Sequence, residues 1–184
     1  MINKRLIVLI ICLVFLGGYV SIFELGGKEK SSGEEVEKIF SFDLKEVKGI
    51  KVTFQDKSIL IQKENGKWKL KKPFDSPVKS KDISDIMSIF NYGIVRVVHD
   101  NPHKLSQWGL SQPEIELSLE VAEGSQSSFW KTLFIGKENP TSASSYAMVK
   151  GESRVLMIGI AYKMDLISFF ERFFAYNQPK TGPA

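Results

Sequence analysis

The 184-residue chain holds one cysteine and two histidines, and these scarcities remove most built-in metal chemistry. One cysteine closes no internal disulfide, and cysteine-clustered zinc or iron–sulfur sites need several. Arginine is scarce too: Arg5, Arg96, Arg154 and Arg172 stand among 25 basic residues. Readers of phosphates and bases favour arginine forks and clustered charge. Here lysines alternate with acids, so no nucleic-acid partner is expected despite a formal charge of +4. There is no glycine-rich phosphate loop, since Gly17-Gly18 lies in an apolar run and Gly26-Gly27 in a polar linker. There is no G-x-S-x-G nucleophile elbow either. The length falls short of a TIM barrel, at about 250 residues. No catalytic residue, cofactor or metal is assigned, and the chain reads as a non-enzyme.

What is present begins with Leu6–Phe23, an uncharged apolar run behind the basic pair Lys4-Arg5. A helix of that length reaches about 27 Å, close to the ~30 Å hydrocarbon core of a bilayer. The run has no polar stripe, as a helix surrounded by lipid requires, and Tyr19 suits an interfacial ring. A cleaved signal needs small residues three and one positions before the cut; Leu16-Gly17-Gly18 fits only weakly. A lipid-modified Cys12 would need a small residue before it, where Ile11 stands. Residues 1–25 are therefore expected to be a retained transmembrane anchor, with a cleaved signal as the alternative, and the membrane as partner through residues 6–23. Residues 26–38 read as a polar tether, 39–176 as an exported domain and 177–184 as a flexible tail. In a bacterium this places the chain as a single-pass protein of the inner or cytoplasmic membrane. Its C-terminal domain then lies in the periplasm or outside the cell.

From Ile39 the periodicity becomes that of half-buried strands. Ile50, Val52 and Phe54 alternate with polar residues, Ile59 and Ile61 lie on a return strand, and Asn65-Gly66 is a two-residue hairpin signal. Trp68 and Leu70 share a third strand, ended by Lys72-Pro73. A helix follows, with Ser80 as expected N-cap, Asp82 near its positive end, Ile83, Ile86, Met87 and Phe90 at helical spacing, and Gly93 as stop. Ile94–Val98 is a short strand, and Leu105 with Trp108 forms a short helix ended by Gly109. Ile115, Leu117, Leu119 and Val121 then alternate cleanly. Residues 122–128 read as a loop, Phe129–Ile135 as a central return strand and Gly136–Ser144 as a longer loop. A hairpin follows across Gly151-Glu152, then a helix aromatic over a wide arc through Phe169, Phe170, Phe173 and Phe174. The fold class is α+β: a transmembrane helix followed by antiparallel meanders with packing helices. The order reads either as two similar meander/helix units or as one continuous sheet.

The chemical motifs are weak. His99 and His103 have the spacing of a helical metal pair, but Pro102 opposes a helix through them. Ser76-x-x-Lys79 and Lys180-Thr181-Gly182 imitate two penicillin-binding motifs without their context. Glu114, Glu116 and Glu120 share one face of a strand, which reads as its solvated side. Trp130 and Phe134 share one face of the central return strand, with Phe129, Leu133 and Ile135 on the other. Such a strand is covered twice, by this chain or by another.

Several spacings carry a resemblance: Trp68-x-Leu70-x-x-Pro73 followed by a helix bearing Asp82, then Trp108-Gly109-Leu110-x-x-Pro113 and Phe134-Ile135-Gly136. Tyr146 with Val149 and the strand Val155–Ile158 fit the same pattern. Over about Ile39 to Phe174 the chain resembles the bacterial family called domain of unknown function 4340, departing from it with Trp108 where Tyr is more usual. The resemblance implies an amino-terminal membrane helix and genes placed near ABC-type export systems, and it implies no catalytic residue. The expected function is that of an envelope interaction module, an accessory of an ABC-type exporter or envelope assembly. Trp108, Trp130, Phe134 and Phe170 are the candidate contacts to a partner or ligand. Alternatives are an exported small-molecule or lipid-binding protein, with Trp108, Trp130 and Phe170 holding the ligand between sheet and helices, and an envelope hydrolase.

Overall fold

The computed structural model describes residues 37–90, 92–100, 104–124 and 127–176. Residues 6–23, His103 and the Lys180-Thr181-Gly182 motif lie outside them. Among the described residues no helix is long and apolar enough to cross a membrane.

Alternation builds the first meander, β1 (Val47–Phe54), β2 (Lys57–Glu64), β3 (Lys67–Lys72) and the two-residue β4 (Ser76–Pro77). Its two hairpins turn through left-handed residues, Gln55-Asp56 and Asn65-Gly66, the pairing that a tight primed turn requires. Helix α1 (Ser80–Ile89) follows, then β5 (Ile94–Asp100) and a short 3-10 turn at Leu105–Trp108. The second meander is β6 (Ile115–Glu123), β7 (Ser127–Glu138), β8 (Ser144–Val149) and β9 (Arg154–Gly159), closed by helix α2 (Ile160–Tyr176).

The strands form one nine-stranded sheet in the order β4-β3-β2-β1-β6-β7-β8-β9-β5. Two meanders, each followed by a helix, abut along the antiparallel β1–β6 ladder, where Ile50 faces Leu119 and Val52 faces Leu117. After α1 the chain passes to the far edge, and β5 pairs with β9. The α+β class with an antiparallel sheet and two packing helices is what the chain forms.

Both helices lie on one face of the sheet. Ile83, Ile86 and Ile89 of α1 and Tyr162, Leu166, Phe169 and Phe170 of α2 join Ile50, Ile61, Leu117, Leu133 and Ile158 in one core. Each such side chain stabilises by about 1.5–3 kcal/mol when fully buried. Arg172 of α2 spans Asp82 and Asp85 of α1 at 3.5 and 3.4 Å. Trp68 packs on the edge of this core, half-buried.

Local details differ from the sequence expectations for traceable reasons. Ser80 is not the cap of α1: Lys79 is, in extended backbone, and its carbonyl accepts from the N–H groups of Asp82 and Ile83. The helix stops at Phe90, before Gly93, because Gly93 bridges Lys38 and the Ile94 N–H donates to the Glu37 carbonyl at 2.8 Å. The expected loop at 122–128 is mostly strand, with β6 reaching Glu123, β7 resuming at Ser127, and pairs Ala122–Ser128 and Glu123–Ser127. Small polar residues there mimic a loop in composition, although their backbone continues the ladder. The loop expected from Gly136 begins later, since β7 passes through an irregularity between Ile135 and Glu138 before it ends.

Candidate functional site

The face of the sheet away from the helices is covered over one half only. There the residues from Leu105 to Leu110 lie across the sheet, and Trp108 and Leu110 pack with Met148 and Val155. Val98, Leu105, Phe134 and Tyr146 complete this smaller cluster. Two glycines allow the close approach. Gly109 ends the 3-10 turn in left-handed backbone at φ 71°, and any side chain on Gly136 would collide with the Trp108 carbonyl oxygen.

The other half, over β1, β2, β3 and β6, has no such cover. The registers place Lys72, Leu60, Lys51 and Ser118 side by side in one row across four strands. The adjacent row runs Lys69, Gln62, Gly49, Glu120 and Trp130. Gly49 has no side chain to lift the indole, and a Cβ there would meet the Trp130 ring at 3.3 Å. Trp130 lies down over this gap and walls a groove of about 320 Å³ lined by Lys51, Leu60, Lys72 and Ser118. The indole remains 45% exposed, and neighbouring Phe129, on the opposite side of β7, 40%.

This stretch of β7 also lacks a strand on one side. Pairing with β8 covers Leu133 to Glu138, and the Lys150 N–H reaches the Thr132 carbonyl at 2.8 Å. Residues 127–131 therefore pair with β6 alone.

The groove is cationic. Among the described residues neither Lys51 nor Lys72 has a carboxylate within ion-pairing distance. Several other charges are matched. Gln62 and Ser128 donate to Glu120 at 3.1 and 2.9 Å. Glu64 is held below its ordinary range by the hydrogen bond from Lys71, which is raised in turn. Arg154 is raised by its hydrogen bond to Glu37. A larger groove of about 430 Å³ lies between β4 and the helices, but its Arg172 and Asp82 already face each other.

The sequence candidates fall in different places. Trp108 (9% exposed) and Phe134 belong to the covered half of the outer face, and Trp130 is open. Phe170 is buried beneath the helices, edge-on to Phe54 at 5.7 Å. Trp108, Trp130 and Phe170 therefore do not line one cavity between sheet and helices, because strand alternation puts Trp130, and the covering 3-10 turn puts Trp108, on the helix-free side. The His99 ring lies 5.8 Å from that of Trp108, tilted by 60°. Ser76 sits in edge strand β4, not at a helix start. No group of three His, Cys, Asp or Glu able to hold a metal occurs among the described residues. Glu114 is exposed, as expected, and also accepts from Lys163 of α2 at 2.6 Å, with Glu138 at 3.5 Å from the same ammonium. The sequence reading missed Lys51, Leu60 and Lys72; their alternation was visible, but their convergence depends on register across three strands.

Residues 88–176 match the family model described as Domain of unknown function (DUF4340). That stretch contains β5 and β6–β9, one contiguous half of the sheet, with α2 and the covering segment. It includes the Trp108–Pro113, Phe134–Gly136 and Val155–Ile158 motifs, whereas Trp68–Pro73 and Asp82 fall outside it. No curated protein and no solved structure matches the chain.

Proposed function

We propose, on the premise that over residues 88–176 the chain belongs to the DUF4340 family, that it is a membrane-anchored envelope protein acting as a non-catalytic interaction module. Residues 6–23 moor it in the bacterial inner or cytoplasmic membrane, and the sheet domain stands in the periplasm or outside the cell. Its partner is a protein, a component of an ABC-type export or envelope assembly system, to which it serves as an accessory subunit.

The observation that carries this reading is the uneven covering of the outer face. The chain seals one half with Trp108 and Leu110 and leaves Trp130 open on the other. A large aromatic exposed beside a partly unpaired strand is a common anchor for a protein contact.

The test is affinity purification of the full chain from detergent-solubilised membranes. Exporter subunits should co-purify with the wild-type chain and be lost with Trp130→Ala. Equal recovery with the variant, or a chain found in the soluble fraction without detergent, refutes the reading.

A further inference from the structure

We infer that the groove beside Trp130 takes an extended acidic segment of the partner protein, one that carries two carboxylates flanking an apolar side chain. This rests on the interaction-module reading and specifies the chemistry of its docking site. The inference starts from the spacing of the two unpaired cations. Lys72 on β3 and Lys51 on β1 stand either side of Leu60 on β2, in one row of the ladder. Two strand spacings separate their backbones by about 10 Å. An extended chain of polyproline type advances about 9.3 Å in three residues and returns to the same side. Acidic side chains three apart therefore reach both lysines across Leu60, and an apolar residue between them, turned aside by the same period, packs against the indole of Trp130.

The surroundings favour this occupant over other anions. A flat anionic membrane would also meet Glu116 and Glu120 on the same face, and two carboxylates there oppose it. For a narrow segment the same carboxylates act as selection: Glu120 is held in the adjacent row by Gln62 and Ser128, and it repels an acidic chain placed one row out of position. Ser118, in line with the two lysines, has its hydroxyl engaged with Thr132 at 2.9 Å, so the floor of the groove presents no unmatched polar group beyond the two ammonium ions. Attraction of this kind sets orientation and encounter rate, and the indole supplies the buried anchor.

The test keeps Trp130 and places a photo-reactive p-benzoylphenylalanine at position 58, one row from Leu60 on the same face of β2, in the full-length chain in the cells that express it, and maps the irradiated adduct by mass spectrometry. The expected adduct is a protein segment with acidic residues three apart around an apolar one. Its yield should fall about tenfold or more with Lys51→Glu and Lys72→Glu together. The milder Lys51→Gln and Lys72→Gln pair should lower it by a smaller factor, which guards against misfolding of the charge-reversed chain. An adduct to lipid, an adduct at a segment without acids, no adduct, or a yield insensitive to both pairs overturns the inference. Fractionation of the same cells reads the membrane anchor separately, so failure of the groove chemistry and failure of the anchored reading give different results.

Discussion

Gly109 and Gly136 meet through their backbones: a Cβ on Gly136 would stand 3.0 Å from the carbonyl carbon of Gly109, and one on Gly109 would stand 2.9 Å from the Lys137 nitrogen. The glycines of the two family-like motifs, Trp108-Gly109-Leu110 and Phe134-Ile135-Gly136, are thus one contact seen from both sides. Their spacing in sequence records where the covering segment presses on β7.

Replacing Gly136 with Ala should therefore cost about 2–3 kcal/mol, since backbone atoms rather than a flexible side chain occupy the space. Gly159→Ala is the matched control. Nothing lies within 4 Å of a Cβ there, and the change should stay within about 0.5 kcal/mol. Urea unfolding of the purified chain in detergent compares the two, and similar losses would refute the close contact.

The three aromatic environments predict a graded response to truncation. Phe169→Ala, in the core beneath the helices, should destabilise by about 3–5 kcal/mol. Trp68→Ala, half-buried, should cost about 1–3 kcal/mol, less than full burial would require. Trp130→Ala should cost under about 1 kcal/mol while abolishing co-purification of the partner. A large loss of stability at Trp130 would make it a structural residue.

Tyr162 is buried, and its hydroxyl makes no hydrogen bond in the structure. Tyr162→Phe removes a desolvated polar group and should be neutral or stabilising by up to about 1 kcal/mol near neutral pH. Burial also raises the phenol's pKa well above its ordinary value. The folded state therefore keeps the proton where the unfolded chain begins to lose it, at about pH 10. Stability is unaffected by this group below that pH and falls as pH rises above it. The Phe variant should lack this alkaline loss, and chemical unfolding between pH 8 and pH 11, on the order of the phenol's range, measures the difference.

Lys163 is 6% exposed in its side chain, with Glu114 at 2.6 Å and Glu138 at 3.5 Å. It fastens the first turn of α2 to the start of β6 and the end of β7. Glu114→Gln should destabilise by about 1–2 kcal/mol, below the figure for a fully buried pair because Glu114 is partly solvated and Glu138 remains. Thermal unfolding of this variant beside Glu116→Gln, which has no such partner, checks the assignment.

Much of the architecture was readable from local pattern. Ile115, Leu117, Leu119 and Val121 announced β6 because strict alternation has one structural meaning, and Asn65-Gly66 announced its hairpin through left-handed geometry. The stop at Gly109 was legible for the same reason. Less legible was anything set by distant partners. The end of α1 is decided by Glu37 and Lys38 reaching Gly93 and Ile94, which helical spacing does not encode. The groove was half visible: Trp130 stood out as an aromatic on a doubly apolar strand. Its companions Lys51, Leu60 and Lys72 looked like ordinary solvated alternation. Only the lateral register of five strands, and the missing side chain at Gly49, bring them to the indole.

The placement of β5 has a consequence for how the polypeptide is made. Val97 faces Leu156, and Ile94 faces Ile158, so a mid-chain ribbon waits for the final one to be synthesised. Until Arg154–Gly159 emerges, the β-branched run Ile94–Val98 has no strand to pair with beyond the bond from Ile94 to Glu37. A nascent polypeptide that stalls before then leaves that run without the strand it pairs with.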